Sequence, residues 1–343
     1  MSLIEARGLE KRFSTGSGVA ARFFSDDVVH AVDGVDLDIE SGQTMGLVGE
    51  SGCGKSTLGN LLLRIHDPTA GTVRFDGTEI TGLSDRELRP YRSKMQIVFQ
   101  NPRNSLNPKH TVGKILRKAI WFHDVASSAD AASLAERCLE DVGLQPEHTD
   151  RYPHEFSGGQ QQRIAIARAL SVKPEFIVLD EPVSALDVSV QSKILELIDD
   201  LKSEYDLTLL FITHDLNVVR RVCDEVSVMY LGEIVENALT AELFDDPYHP
   251  YTQALFDSIT LPEPGELDRE GGIQGEIPSP IDPPSGCRFR TRCPMAMPEC
   301  EEVNPELVER ERGATDGARH TACHLYDSVE NGPDEKRAVD RLG

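Results

Sequence analysis

The sequence predicts an α/β protein whose mostly parallel sheet is covered by helices. Up to about residue 243, short apolar runs alternate with helix-like segments, as in strands joined by crossover helices. The runs 176–179 and 209–212 are apolar at every position, which is expected of strands buried on both faces. A third run, Thr44–Val48, leads through a glycine-rich turn into a helical stretch. These observations place a parallel sheet in the first two thirds of the chain.

The predicted elements divide the chain into a large domain and an extension. The clearest strands are 44–48, 95–99, 176–179, 207–212 and 226–230. The segment 14–27 is predicted to be a long surface loop. After residue 244, eight prolines between 247 and 284 break any long element. We therefore expect a domain over 1–243, a loop-rich extension over 244–330, and a disordered tail over 331–343.

Composition restricts the class of protein. The 343 residues are 39% hydrophobic and 27% charged, which is ordinary for a globular protein. The formal net charge of −23 would repel nucleic acid and anionic lipid. It suggests adaptation to high salt, although a merely acidic mesophilic protein would have the same composition. Neither a signal peptide nor an apolar run of about 18 residues is visible, so we expect a cytoplasmic chain.

The glycine-rich turn after the strand Thr44–Val48 fits a phosphate-binding loop. Its backbone N–H groups can turn toward phosphate oxygens, and the following helix adds its positive N-terminal end. Lys55 would reach the β- and γ-phosphates, and the Ser56 hydroxyl would bind Mg²⁺. The predicted nucleotide-binding residues of this segment are Gly49, Glu50, Ser51, Gly52, Cys53, Gly54, Lys55, Ser56 and Thr57.

Two adjacent carboxylates follow the strand at 176–179. Asp180 and Glu181 would lie at the carboxyl ends of the strands, where open α/β sheets bind their ligands. Asp180 would hold Mg²⁺ directly or through water, and Glu181 would polarise the water that attacks the γ-phosphate. A solvated acidic turn is the alternative for the pair taken alone.

A second helix start suited to phosphate follows Phe156, and here the sequence resembles the ATP-binding cassette (ABC) family. Ser157, Gly158, Gly159 and Gln160 match the family's signature motif in full. In that family, the signature loop binds the γ-phosphate of ATP held by the other subunit. The resemblance therefore implies a dimer with ATP at its interface and a helical subdomain at about 101–170.

Further positions match the family one by one. Gln100 resembles the glutamine that contacts Mg²⁺ and the attacking water, and His214 resembles the switch histidine that grips the γ-phosphate. Asp187 resembles the aspartate that crosses the dimer interface. Phe13 matches the aromatic residue that stacks on adenine, although a core phenylalanine is the alternative and the long loop after it departs from the usual spacing.

Within the family, the sequence resembles the ATPases of oligopeptide and dipeptide importers. The match rests on the segments 100–108, 249–252, 275–280 and 286–289. It implies a heterodimer with a paralogous ATPase, two membrane permeases, an extracellular solute-binding protein, and a place on the cytoplasmic face of the membrane. Related importers carry nickel, opines, glutathione or sugars, so another solute remains an alternative. A non-transport ABC ATPase or a regulatory cassette without turnover fits less well.

Four cysteines crowd the extension. Cys287, Cys293, Cys300 and Cys323 match neither zinc-ribbon nor ferredoxin spacing, yet four thiols in a region with little core suggest an inorganic centre. The resemblance implies a [4Fe–4S] cluster, because some members of the importer branch bind one through cysteines at these places. Zinc and thiols without metal are the alternatives.

Overall fold

The computed structural model describes residues 2–14, 27–127, 129–257, 275–310 and 319–327. The loop predicted over 14–27 lies, apart from its two end residues, outside this part of the chain. The predicted tail over 331–343 also lies outside it.

Strands and helices alternate through most of the described chain. The strands are β1 Ser2–Ser14, β2 Val28–Glu40, β3 Thr44–Val48, β4 Ala70–Phe75, β5 Thr78–Glu79, β6 Met95–Val98, β7 Phe176–Asp180, β8 Thr208–Ile212, β9 Glu225–Tyr230, β10 Glu233–Leu239, β11 Val308–Glu309 and β12 His320–Thr321. The helices are α1 Lys55–Leu62, α2 Asp85–Lys94, α3 Pro102–Ser105, α4 Val112–Phe122, α5 Asp130–Asp141, α6 Gly158–Leu170, α7 Val188–Tyr205, α8 Leu216–Val222, α9 Thr240–Asp245, α10 Pro250–Asp257 and α11 Glu299–Glu302.

The main sheet has the strand order β11-β12-β10-β9-β3-β8-β7-β6. Its five strands from β9 to β6 are parallel, and they are the five strands predicted from the sequence. The three strands at the other edge pair antiparallel. The predicted α/β fold with a parallel sheet is confirmed.

A second, antiparallel sheet of order β2-β1-β4-β5 was not predicted. In β1, buried Ile4 and Ala6 alternate with the more exposed Glu5 and Arg7. Such strands carry charged residues on their open face, so they show no continuous apolar run. The sequence pattern therefore revealed the doubly buried strands and missed the half-exposed ones.

Two apolar cores lie on opposite faces of the main sheet. Leu209 and Phe211 of β8 join the core that includes α4 to α6, whereas Leu210 and Ile212 join the core that includes the antiparallel sheet and α1. This alternation follows from the two-residue period of a strand. The parallel pairing of β3 with β8 and of β8 with β7 places the carboxyl ends of these strands side by side.

The helices α3 to α6 lie between β6 and β7 along the chain, in the segment where a helical subdomain is predicted. The predicted boundary after residue 243 falls within α9. Beyond it, β12 pairs with β10, with Thr321 opposite Glu236. The extension therefore contributes strands to the sheet of the larger domain.

Candidate functional site: a nucleotide cavity at the sheet edge

The phosphate-binding loop joins β3 to α1 in a conformation that requires glycine. Gly49 and Gly54 have φ angles of 149° and 113°. A Cβ atom at either position would lie 2.1 Å from a backbone oxygen, that of Met229 or Ala31 respectively. These contacts explain why glycine stands at both places.

Lys55 and Ser56 are the first residues of α1, at the end of this loop. The buried Lys55 ammonium donates hydrogen bonds to the carbonyl oxygens of Gly49 and Glu50, each over 2.8 Å. The Ser56 hydroxyl donates to Asp180 Oδ1 over 2.9 Å. Burial raises the pKa of Asp180 above its ordinary value, although the Ser56 hydroxyl opposes this shift. A partly buried carboxylate with a hydroxyl partner suits a divalent cation at this point.

Glu181 lies at the junction of two predicted catalytic residues. Its carboxylate accepts a hydrogen bond from Gln100 Nε2 over 2.8 Å through one oxygen, and its other oxygen lies 3.1 Å from His214 Nδ1. The Glu181 backbone has a left-handed φ of 47°, which costs roughly 1 kcal/mol for a residue with a side chain. Its N–H donates to the Ile212 carbonyl and thereby ties the turn after β7 to β8. This arrangement can orient a water molecule and accept its proton.

Most of the residues predicted to bind the nucleotide or to act in catalysis line one cavity of about 710 Å³. The lining residues are Phe13, Val29, Ala31, Ser51, Gly52, Gly54, Lys55, Ser56, Thr57, Gln100, Glu181, His214 and Pro280. Phe13 is 36% exposed, so it is a cavity-wall residue and not a core phenylalanine. The lining does not include four other predicted residues, Gly49, Glu50, Cys53 and Asp180. Of these, Gly49 and Glu50 accept hydrogen bonds from Lys55, and Asp180 accepts one from Ser56.

Sequence reasoning missed three wall residues. Val29 and Ala31 belong to β2, which carries no strand signal, and Pro280 comes from the extension. The Pro280 carbonyl accepts the His30 N–H over 2.9 Å, which fixes the extension against this wall. In the sequence, the segment 275–280 serves only to mark the family, and nothing in its composition indicates a place beside the nucleotide.

The signature residues lie outside this cavity. The Ser157 hydroxyl accepts the Gln160 N–H over 3.4 Å, and Gln160 Oε1 accepts the Ser157 N–H over 3.1 Å, so the two residues cap the start of α6. Gly158 lines a neighbouring groove next to Gln100. Asp187 is the N-cap residue of α7, and its side chain makes no capping hydrogen bond. The chain thus presents a second helix start that does not line this cavity.

Comparisons with known proteins show which family the chain belongs to. Residues 32–184 match the ABC transporter family, and residues 235–300 match the C-terminal region of oligopeptide/dipeptide transporters. Two relatives from Bacillus subtilis (strain 168) are YkfD, 49% identical over 96% of this chain and 97% of its own length, and the oligopeptide transport ATP-binding protein AppF, 47% identical over 95% and 98%. The chain belongs to the ATP-binding subunits of oligopeptide/dipeptide ABC transporters.

Solved structures show the same fold. A dimeric ATP-binding cassette in a post-hydrolysis state, bound to ADP and phosphate, is 32% identical with a TM-score of 0.59, covering 67% of this chain and 96% of that chain. CbiO1 from Clostridium perfringens, part of the ABC transporter complex CbiONQ, is 28% identical with a TM-score of 0.61, covering 71% and 91%. This ABC subunit is an ATPase that acts as a dimer and couples ATP hydrolysis to transport with permease components. Within its described residues, no helix is both long and apolar enough to cross a bilayer.

The four extension cysteines of this ABC subunit line one small cavity. Burial raises the pKa of Cys287 to about 11 and that of Cys323 to about 12, and it also raises the pKa of Cys293. The Met297 N–H donates to Cys300 Sγ over 3.5 Å. For the other three thiols, backbone N–H groups oppose the rise in pKa; these are Phe289 and Arg290 at Cys287, Met295 at Cys293 and Leu325 at Cys323. In the described part of the chain, no three His, Cys, Asp or Glu side chains are arranged to hold a single metal ion.

Proposed function

We propose that this ATPase lies at the cytoplasmic face of the cell membrane and drives the uptake of dipeptides or oligopeptides into the cell. The support is the match of residues 235–300 to the C-terminal region of oligopeptide/dipeptide transporters, together with the cavity lined by the predicted nucleotide-binding residues. AppF, named as an oligopeptide transport protein, is similar along nearly the whole chain. Sugar or nickel uptake is the alternative within the same class of importer.

The cavity supports a division of labour among its residues. Lys55 and the loop N–H groups hold the phosphates, Phe13 contacts the adenine, and Ser56, Gln100 and Asp180 hold Mg²⁺. Bound Mg²⁺ would neutralise charge on the β- and γ-phosphates. Glu181 accepts the proton of the attacking water, and His214 orients Glu181 and grips the γ-phosphate. The hydrogen bonds around Glu181 support these roles.

We infer that the working ATP site is composite. Ser157 to Gln160 begin α6 away from this chain's own cavity, and the N–H groups of Gly158 and Gly159 at this helix start suit the γ-phosphate of a nucleotide on a partner. Asp187 stands near the same interface with its carboxylate unused for capping. The partner is a paralogous ATPase in a heterodimer, which docks on two permeases that receive solute from an extracellular binding protein.

We also propose that the four extension cysteines hold a [4Fe–4S] cluster. The Met297 N–H that donates to Cys300, and the backbone N–H groups that oppose the rise in pKa of the other three thiols, would stabilise thiolates, as hydrogen bonds do around iron–sulfur centres. Zinc at the same four thiols and thiols without metal are the alternatives. Bound, the cluster would supply cross-links between loops.

The acidic surface supports a further proposal, that the protein works at high salt. A net charge of −23 creates repulsion that dilute buffer leaves poorly screened. Assays of ATP hydrolysis therefore need high as well as low salt.

The decisive experiment is Glu181→Gln in the assembled transporter. We expect MgATP affinity within about threefold of wild type, and hydrolysis reduced at least about 100-fold, because the amide cannot accept the proton of water. Uptake of labelled peptides into vesicles should fall in parallel.

A matched control is Glu175→Gln, at the opposite end of β7, where the glutamate pairs with Lys94 on the surface. It should leave hydrolysis and uptake unchanged. Hydrolysis near the wild-type rate in Glu181→Gln would remove Glu181 from its role. Uptake of sugar or nickel, with no uptake of peptides by the wild type, would replace the proposed solute.

A further inference from the structure

The extension holds one residue of the phosphate-binding loop from two sides. Glu50 directs its carboxylate at Arg292, which lies one residue before Cys293. The guanidinium donates to both carboxylate oxygens, over 2.7 and 3.0 Å. The Glu50 backbone N–H donates to the hydroxyl of Tyr251 in α10, over 2.9 Å. Side chain and backbone of one loop residue are thus both fixed by residues beyond 244.

These contacts lie in a buried setting. The Arg292 side chain is 4% exposed and that of Glu50 is 21% exposed. The rings of Tyr230, Tyr251 and Phe289 pack together below the pair, with centroids 4.7 to 5.4 Å apart. A two-pronged arginine–carboxylate contact with restricted water is geometrically specific and stronger than an exposed one.

The charge of the pair matters because the loop receives a polyanion. Without Arg292, a partly buried negative charge would remain beside the place where the phosphates bind. Partial burial reduces screening of that charge, so it would oppose phosphate binding. Paired with Arg292, Glu50 adds no net charge to the loop, and Lys55 remains the local cation.

The same arginine is tied to the cysteine loop. Its backbone N–H donates to the Phe289 carbonyl over 2.9 Å, and the Arg290 N–H donates to the Cys287 carbonyl over 3.1 Å. The turn between Cys287 and Cys293 therefore determines where Arg292 stands. We propose that Arg292 is a positioning residue through which the C-terminal extension sets the affinity of the phosphate-binding loop for MgATP. This inference rests on the nucleotide site proposed above.

The test measures binding of the magnesium complex of AMP-PNP to the full-length chain by calorimetry. We expect Arg292→Gln to weaken binding about tenfold, and Glu50→Gln to weaken it less, because only the first variant leaves an unpaired negative charge at the loop. The double variant should recover most of the lost affinity. Arg292→Lys, which keeps the charge but not the two-pronged contact, should lie between wild type and Arg292→Gln.

The control is Arg310→Gln, because the Arg310 side chain donates to the Tyr326 carbonyl and to Asp327, both within the extension. Its melting temperature should fall without a change in affinity. Wild-type affinity in Arg292→Gln, or equal losses in Arg292→Gln, Glu50→Gln and the double variant, would overturn the proposal. Lys55→Ala tests the site itself: if it binds as well as wild type, the nucleotide site is wrong, whereas loss of binding there leaves the Arg292 result decisive.

Discussion

The parallel sheet and the C-terminal extension are stabilised by different means. Strands such as β7 and β8 are buried along their length, and their aliphatic side chains fill two cores. The extension is joined to the sheet domain by three nearly buried arginines, each paired with a carboxylate of that domain; these are Arg288 with Asp33 and Glu233, Arg292 with Glu50, and Arg319 with Glu236.

This difference determines how strongly a local structural change in one region affects the other. Apolar contacts are non-directional and tolerate small shifts, whereas a buried ion pair loses most of its value when one partner moves or is removed. Arg292 pairs with a residue of the phosphate-binding loop, and Glu236, the partner of Arg319, accepts the N–H of His249, which lines the cysteine cavity. Local change in the extension should therefore reach the nucleotide site.

The largest expected effect on the stability of the extension comes from Cys293→Ser. If a cluster cross-links the extension, anaerobically purified wild-type protein contains about four iron and four sulfide per chain, and the variant loses both. Because the loops have little apolar core of their own, residues near 287–323 should then become sensitive to protease.

Cys138→Ser is the matched control, since Cys138 is buried in α5, far from the extension cavity along the chain. It should keep its iron. One zinc per chain without sulfide would replace the cluster with a zinc site. A metal-free wild type with a protected extension would leave the cysteines as ordinary buried thiols.

An intermediate effect is expected from Arg319→Met. Glu236 is fully buried; it accepts the N–H groups of Tyr248 and His249 and pairs with Arg319 over 2.7 Å. Arg319 also lies over the Tyr248 ring, 3.4 Å from its centroid. Removing the cation leaves a buried carboxylate charge, which should lower the free energy of unfolding by about 3–5 kcal/mol.

Chemical denaturation of the single variant and of Arg319→Met with Glu236→Gln checks this account. The double variant should regain at least half of the loss, because no unpaired charge remains and the oxygen of the new side-chain amide still accepts a backbone N–H. A single variant as stable as wild type would show that apolar packing, and not the ion pair, holds the extension.

Sequence reasoning reached the parallel sheet and many of the residues that line the 710 Å³ cavity, because both depend on local pattern. The doubly buried strands are continuous apolar runs, and the phosphate loop needs glycine at fixed places such as Gly49. It did not reach Arg292 or Pro280. Their contacts join residues more than 200 positions apart, and no local spacing records such a contact. Their roles could be found only once the extension was placed against the sheet.

The smallest effect is expected at the exposed pair of Arg7 and Asp38, which joins β1 and β2 over 2.8 Å with both side chains about half exposed. Water and salt screen such pairs, so each single substitution should change stability by less than about 1 kcal/mol. The stabilities of the two single variants, Arg7→Gln and Asp38→Asn, should still differ in dilute buffer. Arg7→Gln takes the net charge from −23 to −24, whereas Asp38→Asn takes it to −22 and relieves repulsion. Melting curves at low salt and at about 1 M salt separate the contributions, because the difference between the two variants should vanish once the Debye length falls to about 3 Å. A loss of several kcal/mol that persists at high salt would place this pair with the buried ones and erase the contrast between exposed and buried charges.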